Sequence, residues 1–173
     1  MKRILNGLIL LVVMVTIGIA GFLIYARFHD GPLEIVSGGP FTSGDPASTP
    51  SSWDFVSDYN AIEFQTLEPE RSRTVWLGVY DERLFIVSGY MNSGIGAVWK
   101  QWPRYIEQDD RVILRIDGRL YEQRLQRISS GPEIIPVLQE FNRKYGIGEA
   151  TSTDTVTSGD TWMFEVLPRS TDR

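Results

Sequence analysis

Residues 72–89 read SRTVWLGVYDERLFIVSG, and this stretch decides the fold. Ser72 to Tyr80 and Arg83 to Gly89 are both rich in β-branched and aromatic residues, which fit a pleated, half-buried surface. Asp81-Glu82 between them leaves room for a two-residue turn, so the pair reads as a β-hairpin. The pattern extends on both sides. Ile62, Phe64 and Thr66 alternate with Glu63 and Gln65, as in a strand with one buried face. RVILRIDGRLYEQRLQRI (111–128) is two strands joined at Asp117-Gly118, the strongest short hairpin signal. TWMFEVL (161–167) is a last strand, ended by Pro168.

Two helical insertions interrupt the strands. The Trp-containing segment AVWKQWPRYIEQDDR (97–111) is one. GPEIIPVLQEFNRKYG (131–146) is the other, with Leu138, Phe141 and Tyr145 on one face, Pro136 in the first turn and Gly146 as the stop. Residues 149–160, EATSTDTVTSGD, read as a polar loop. The order β-β-β-α-β-β-α-β, dominated by antiparallel hairpins, predicts a small closed or partly closed barrel rather than a doubly wound sheet.

The clearest signal lies at the N-terminus. ILNGLILLVVMVTIGIAGFLIY (4–25) carries two clearly polar side chains, Asn6 and Thr16, and no charge. It is long enough for a bilayer core of roughly 30 Å. Lys2 and Arg3 precede it, which places the N-terminus in the cytoplasm of an inner or plasma membrane and the rest outside. The rival reading is a cleaved signal peptide, with Gly18 and Ala20 as its small residues. The run continues through Phe22, Leu23, Ile24 and Tyr25, longer than the usual signal core, and this favours an uncleaved anchor. Residues 30–52 are rich in Gly, Pro, Ser and Thr, as a linker would be. Leu33, Ile35, Val36 and Phe41 within them predict an arm ordered at least in part. The expected organisation is an anchor over 1–28, an arm over 29–52 and a barrel domain over 53–173.

Composition excludes several chemistries. The net charge of the 173 residues is −5, so no basic footprint invites nucleic acid. Without cysteine there is no disulfide frame, thiolate site or cysteine nucleophile. The single histidine, His29, sits beside the anchor, so Ser88, Ser93 and Ser158 have no imidazole base. No metal site is expected; Glu107, Asp109 and Asp110 read as a solvated helix end. SGIGAVW (93–99) follows a strand but lacks the third glycine and the second βαβ half of a dinucleotide site. Arg71 and Arg73 either make bidentate contacts to a phosphate or are edge charges that discourage sheet pairing. Lys100, just after the Gly/Ser loop, either meets a phosphate as a point charge or is solvated.

The order of these motifs resembles the split β-barrel superfamily of pyridoxamine-phosphate-oxidase-like and flavin-reductase-like proteins. AIEFQTL, then SRTVWLGVYDERLFIVSG, then AVWKQWPRYIEQDDR, then VILRIDGRLYEQRLQRI and the closing TWMFEVLPR carry it. SGGPFTSG with SSWDF is similar to the entry segment of a membrane-anchored bacterial branch. The resemblance implies a six-stranded antiparallel split β-barrel with two helical insertions behind one transmembrane helix. It implies a homodimer with FMN or a related flavin-type cofactor in a groove between subunits, and oxidoreductase chemistry on a small molecule. The positions that match such a groove are Arg73, Thr74 and Trp76 on the second strand, Ser88 and Gly89 at the end of the third, and Lys100 and Trp102 beyond the loop. A non-catalytic envelope binding module on the same fold is the other reading. The topology is checked by fusing a reporter enzyme that works only outside the cytoplasm to the C-terminus. It is expected to be active; a silent fusion beside an active cytoplasmic reporter would reverse the orientation.

Overall fold

A computed structural model describes residues 2–34, 36–92, 94, 101–146 and 152–169. Helix α1 (Lys2–Phe28) is followed by strand β1 (Asp45–Ala47) and a 3-10 turn at Asp54–Val56. Then come β2 (Ile62–Leu67), β3 (Glu70–Val75), β4 (Leu77–Tyr80) and β5 (Arg83–Ser88). Helix α2 (Trp102–Ile106), β6 (Arg111–Ile116), β7 (Arg119–Ile128), α3 (Ile134–Tyr145), the one-turn α4 (Asp154–Thr157) and β8 (Trp162–Pro168) complete the chain.

The sheet runs β3-β2-β6-β7-β8-β5-β4, with every neighbouring pair on this path antiparallel. Its two ends, β3 and β4, are successive pieces of one strand bent at Trp76. The sheet therefore returns on itself, and six long strands enclose one core. This is the split barrel that the sequence predicts. Both hairpins form as expected: Asp81 and Glu82 at φ 53° and 61°, Asp117 and Gly118 at φ 50° and 74°, have the two positive angles that a tight two-residue turn needs.

Strand alternation fills the barrel. Ile62 and Phe64 from β2, Val75 and Leu77 from the bent strand, Leu84 and Ile86 from β5, Val112 and Leu114 from β6, and Phe164 and Val166 from β8 are all buried in one cluster. A second cluster lies outside the barrel wall, where α3 applies Ile134, Val137, Leu138 and Phe141 to Phe85 and Met163. The helix comes so close to β4 that a Cβ on Gly78 would lie 2.6 Å from the Phe141 ring. Where β2 and β4 part, the end of α3 supplies the missing bonds. The Lys144 ammonium donates to the carbonyls of Tyr59 and Leu77 at 2.6 and 3.1 Å, and the Tyr145 hydroxyl accepts the Leu77 N–H at 3.1 Å.

Two features differ from the sequence reading. Residues 154–157, expected as loop, make one helical turn. β1 pairs parallel with residues 119–121 of β7, on the stretch of edge that β8 leaves open.

The arm is ordered along the domain, Ile35 lying outside the described residues. Gly38 exchanges both backbone hydrogen bonds with Ser72 of β3, at 3.0 and 3.3 Å, and the Ser72 hydroxyl donates to the Gly39 carbonyl at 2.6 Å. The Phe41 N–H donates to the buried Gln65 side chain at 2.6 Å. Arg115 fastens the arm. Its guanidinium donates to Glu63 on β2 at 2.6 Å and to Asp30 at 2.8 Å, and lies 4.2 Å from the centre of the Phe41 ring. Asp30 also accepts from the Thr42 N–H at 2.8 Å and from the Ser43 hydroxyl.

Partial burial alone would raise the Asp30 pKa, but the bonds from Ser43, Thr42 and Arg115 and the guanidinium charge outweigh it and hold the carboxyl at about 2. Its folded value is depressed, so the stabilisation is complete above the ordinary carboxylate pKa and is lost as pH falls through about 2. Protease protection of residues 30–52 is expected to be full at pH 5 and to fade between pH 4 and pH 2. Arg115→Met should abolish it at every pH. Cleavage of the arm that is equal in wild type and variant would remove Arg115 as the fastener.

Candidate functional site

A cavity of about 630 Å³ opens at the end of the barrel where α1 meets the domain. Its residues follow from strand parity. Val75 and Leu77 point into the core, so Arg73 and Arg71 on the same face point toward the barrel mouth. In register across β2 they lie opposite Phe64 and Thr66. The inner face thus changes from apolar to cationic within four residues of one strand.

Trp102 forms the floor. It opens α2, where Pro103 suits the first turn because no N–H is needed there. Its indole is buried, with ring centres 5.1 Å from Phe64 and 5.3 Å from Phe164. Gln101 and Tyr105 complete this side, the Tyr105 hydroxyl donating to the Gln101 side-chain oxygen at 2.7 Å. Val36 and Ser37 of the arm form a third wall, and Ala26, Arg27 and Phe28 of α1 lie across the top.

Arg73 is half-buried and donates to the Ser37 hydroxyl at 3.0 Å. Burial pushes its guanidinium pKa down. Burial also pushes Arg71 down, and the like charge of Arg27 adds to the effect. Both nonetheless remain cations at neutral pH. Among the described residues, seven arginines of the domain have a carboxylate within 4.0 Å; the exposed Arg104 and Arg119 have none, and neither do the half-buried Arg27, Arg71 and Arg73. A charge taken out of water without a partner is costly. The three guanidinium groups, each half-exposed, give the cavity a cationic rim.

Of the seven residues read from the sequence, Arg73 and Trp102 meet in this cavity. Thr74 points the other way, to a smaller cavity of about 470 Å³ beside Glu63 and Arg115. Trp76 lies outside the barrel, its ring stacked on Tyr145 with centres 4.7 Å apart and planes 9° apart. Ser88 is buried at the end of β5, where its hydroxyl donates to the Met91 sulfur at 3.4 Å. Gly89 follows it beside Thr161, away from the cavity. Lys100, and all of SGIGAVW except Gly94, lie outside the described residues. Glu107, Asp109 and Asp110 pair with Arg127, Arg111 and Arg124, and no group of three His, Asp or Glu able to hold a metal occurs among the described residues.

Arg27, Ser37 and Thr66 were not singled out by the sequence reading. Parity was the available signal for Thr66: it shares a face with Ile62 and Phe64. Arg27 lies just past the apolar run 4–25, and nothing local in the sequence ties it to the barrel strands.

No family model matches the sequence, and no curated protein matches it. Solved structures do resemble it. One is a proposed pyridoxamine 5'-phosphate oxidase from Listeria innocua, at 8% identity, covering 68% of this chain and 90% of the other with a TM-score of 0.46. A conserved hypothetical protein from Mycobacterium tuberculosis matches at 15% identity over 68% of this chain and 78% of its own, with a TM-score of 0.48. An F420 reductase matches at 15% over 70% and 97%, with a TM-score of 0.42. Their shared feature is the split barrel. Chains this distant have only their layout in common.

An unpaired cation costs stability that a functional site retains for its ligand. Arg73→Met is therefore expected to leave the melting temperature of the ligand-free protein unchanged or raise it. A loss of more than about 1 kcal/mol would mark Arg73 as a structural residue.

Proposed function

We propose that the chain is a membrane-anchored split-barrel protein that holds an organic phosphate, FMN or a related flavin-type cofactor, in the cavity at the barrel mouth. The observation that carries this reading is the convergence of Arg71 and Arg73, unpaired by any carboxylate among the described residues, on a cavity floored by an indole. Guanidinium groups match phosphate oxygens in charge and in bidentate geometry. A cavity of about 630 Å³ lies within the range of small-molecule and cofactor sites, roughly 300–1,000 Å³. Such a cofactor, when bound, supplies hydride transfer to or from a small molecule. The chain's own part is to bind and orient it: Arg71 and Arg73 take the phosphate, Ser37 holds the Arg73 fork, and Trp102 closes the inner end against the core. The proposal includes a homodimer, as the resemblance in the sequence implies, and an extracytoplasmic barrel tethered by α1. This helix is long and apolar enough to cross a membrane, with a mean hydropathy of 2.8 over its most apolar window.

The second reading is a non-catalytic binding module. It is favoured by the position of Trp102, which is wedged between Phe64 and Phe164 and spends most of its surface on the core.

Full-length protein in neutral detergent decides between them. FMN added to it is expected to lose fluorescence in a saturable way, and native mass spectrometry is expected to show a dimer carrying the cofactor. Replacing both Arg71 and Arg73 by Gln should weaken binding at least tenfold, since a hydrogen bond to a charged group is worth about 1.5–3 kcal/mol. A colourless protein that leaves FMN fluorescence untouched would discard the cofactor and leave the binding module.

A further inference from the structure

The anchor is part of the cavity. Leu23, Ile24, Ala26, Arg27 and Phe28 from the last two turns of α1 form its roof, against the barrel's Arg71 and Arg73. Ala26 is the one residue of α1 that is buried, at 1% exposure, so contact with the domain is confined to this end of the helix. The join is tight. The Gly39 N–H donates to the His29 carbonyl at 3.0 Å, and a Cβ on Gly39 would lie 2.6 Å from the Arg27 carbonyl oxygen.

This arrangement puts two chemistries side by side. The roof is apolar at Leu23, Ile24 and Phe28 and continuous with the bilayer-length apolar run of α1. At the same level Arg27, Arg71 and Arg73 present three cations without a carboxylate partner among the described residues, where a membrane-spanning helix leaves the hydrocarbon and meets the depth of lipid phosphates. A free inorganic anion would use the charges and waste the apolar wall. An apolar ligand would use the wall and leave the charges unpaired.

We propose that the cavity is a joint product of anchor and barrel that selects a phosphate carrying an apolar group, with Arg27 as the third phosphate ligand and Leu23, Ile24 and Phe28 as the seat of the apolar part. This rests on the reading of the cavity as a phosphate site, and adds what else the ligand must have. The shared chemistry is an organic phosphate; a lipid of the surrounding bilayer and a soluble cofactor are its two sources, and the lipid satisfies both halves of the site.

The probes are inorganic phosphate, FMN and dihexanoyl phosphatidic acid, a lipid short enough to dissolve, titrated against full-length protein in neutral detergent. Tryptophan fluorescence and native mass spectrometry report binding. The short-chain lipid is expected to bind at least tenfold more tightly than inorganic phosphate and to displace FMN. Arg27→Gln should weaken the lipid at least tenfold, and Arg27→Lys, which keeps the charge, should restore most of the loss. If FMN binds in a manner dependent on Arg71 and Arg73 while the lipid neither binds nor competes and Arg27→Gln changes nothing, the flavin reading stands and this one falls. If the lipid binds with Arg27 dependence and FMN does not, the reverse holds. Equal affinity for inorganic phosphate and the lipid would also overturn it, since the apolar wall would then select nothing.

Discussion

The structure depends on one strand serving both ends of its own sheet. Residues 70–80 pair with β2 before the bend at Trp76 and with β5 after it. That single bend closes six antiparallel strands into a barrel and removes most of the edges that an open sheet would expose. It also fixes which side chains face inward on either side of the bend. Val75 and Leu77 belong to the sealed core, whereas Arg71 and Arg73, on the same face, fall beyond its end. Closure and cavity are therefore two results of one geometric fact. The cost of the bend is a gap between β2 and β4, and the Lys144 and Tyr145 side chains fill it by bonding the backbone groups left there.

Much of this was legible in the sequence because side chains announce it. The β-branched runs, the Asp81-Glu82 and Asp117-Gly118 turns and the amphipathic 131–146 segment each carry a local signal, and each took the expected form, the last as the helix Ile134–Tyr145. The arm was harder to read. Its pairing with β3 runs through the backbone of Gly38 and Ser72, and backbone bonds leave no mark on composition. For the same reason the short parallel strand at Asp45–Ala47 gave no warning. The site was legible in part. Arg73 and Trp102 converge, but Thr74 alternates to the opposite face and Trp76 sits at the bend, where its ring is free to turn outward onto Tyr145. Arg27 is forty-four residues from Arg71, and only the fold brings them to one cavity.

The arginines of the domain divide into two kinds, and the contrast is informative. Arg115 is held by two carboxylates, a backbone carbonyl and an aromatic face. Arg83, Arg111, Arg124, Arg127, Arg143 and Arg169 each have a carboxylate partner. Among the described residues Arg104 and Arg119 also lack one, but both are exposed to solvent, whereas Arg71 and Arg73 are half-buried. Arg71 and Arg73 occupy the inner face of a strand, opposite Thr66 and Phe64 rather than an acid.

The contact of Gly38 with the collar has a mechanical meaning. A Cβ there would fall 1.7 Å from the Gly31 carbonyl oxygen, so the two backbones touch where the arm crosses the exit of the helix. A chain crossed on itself in this way is a knuckle, not a leash. The barrel therefore abuts the end of its helix directly instead of standing off it by the length of some twenty residues, and the opening of the cavity lies beside that helix end.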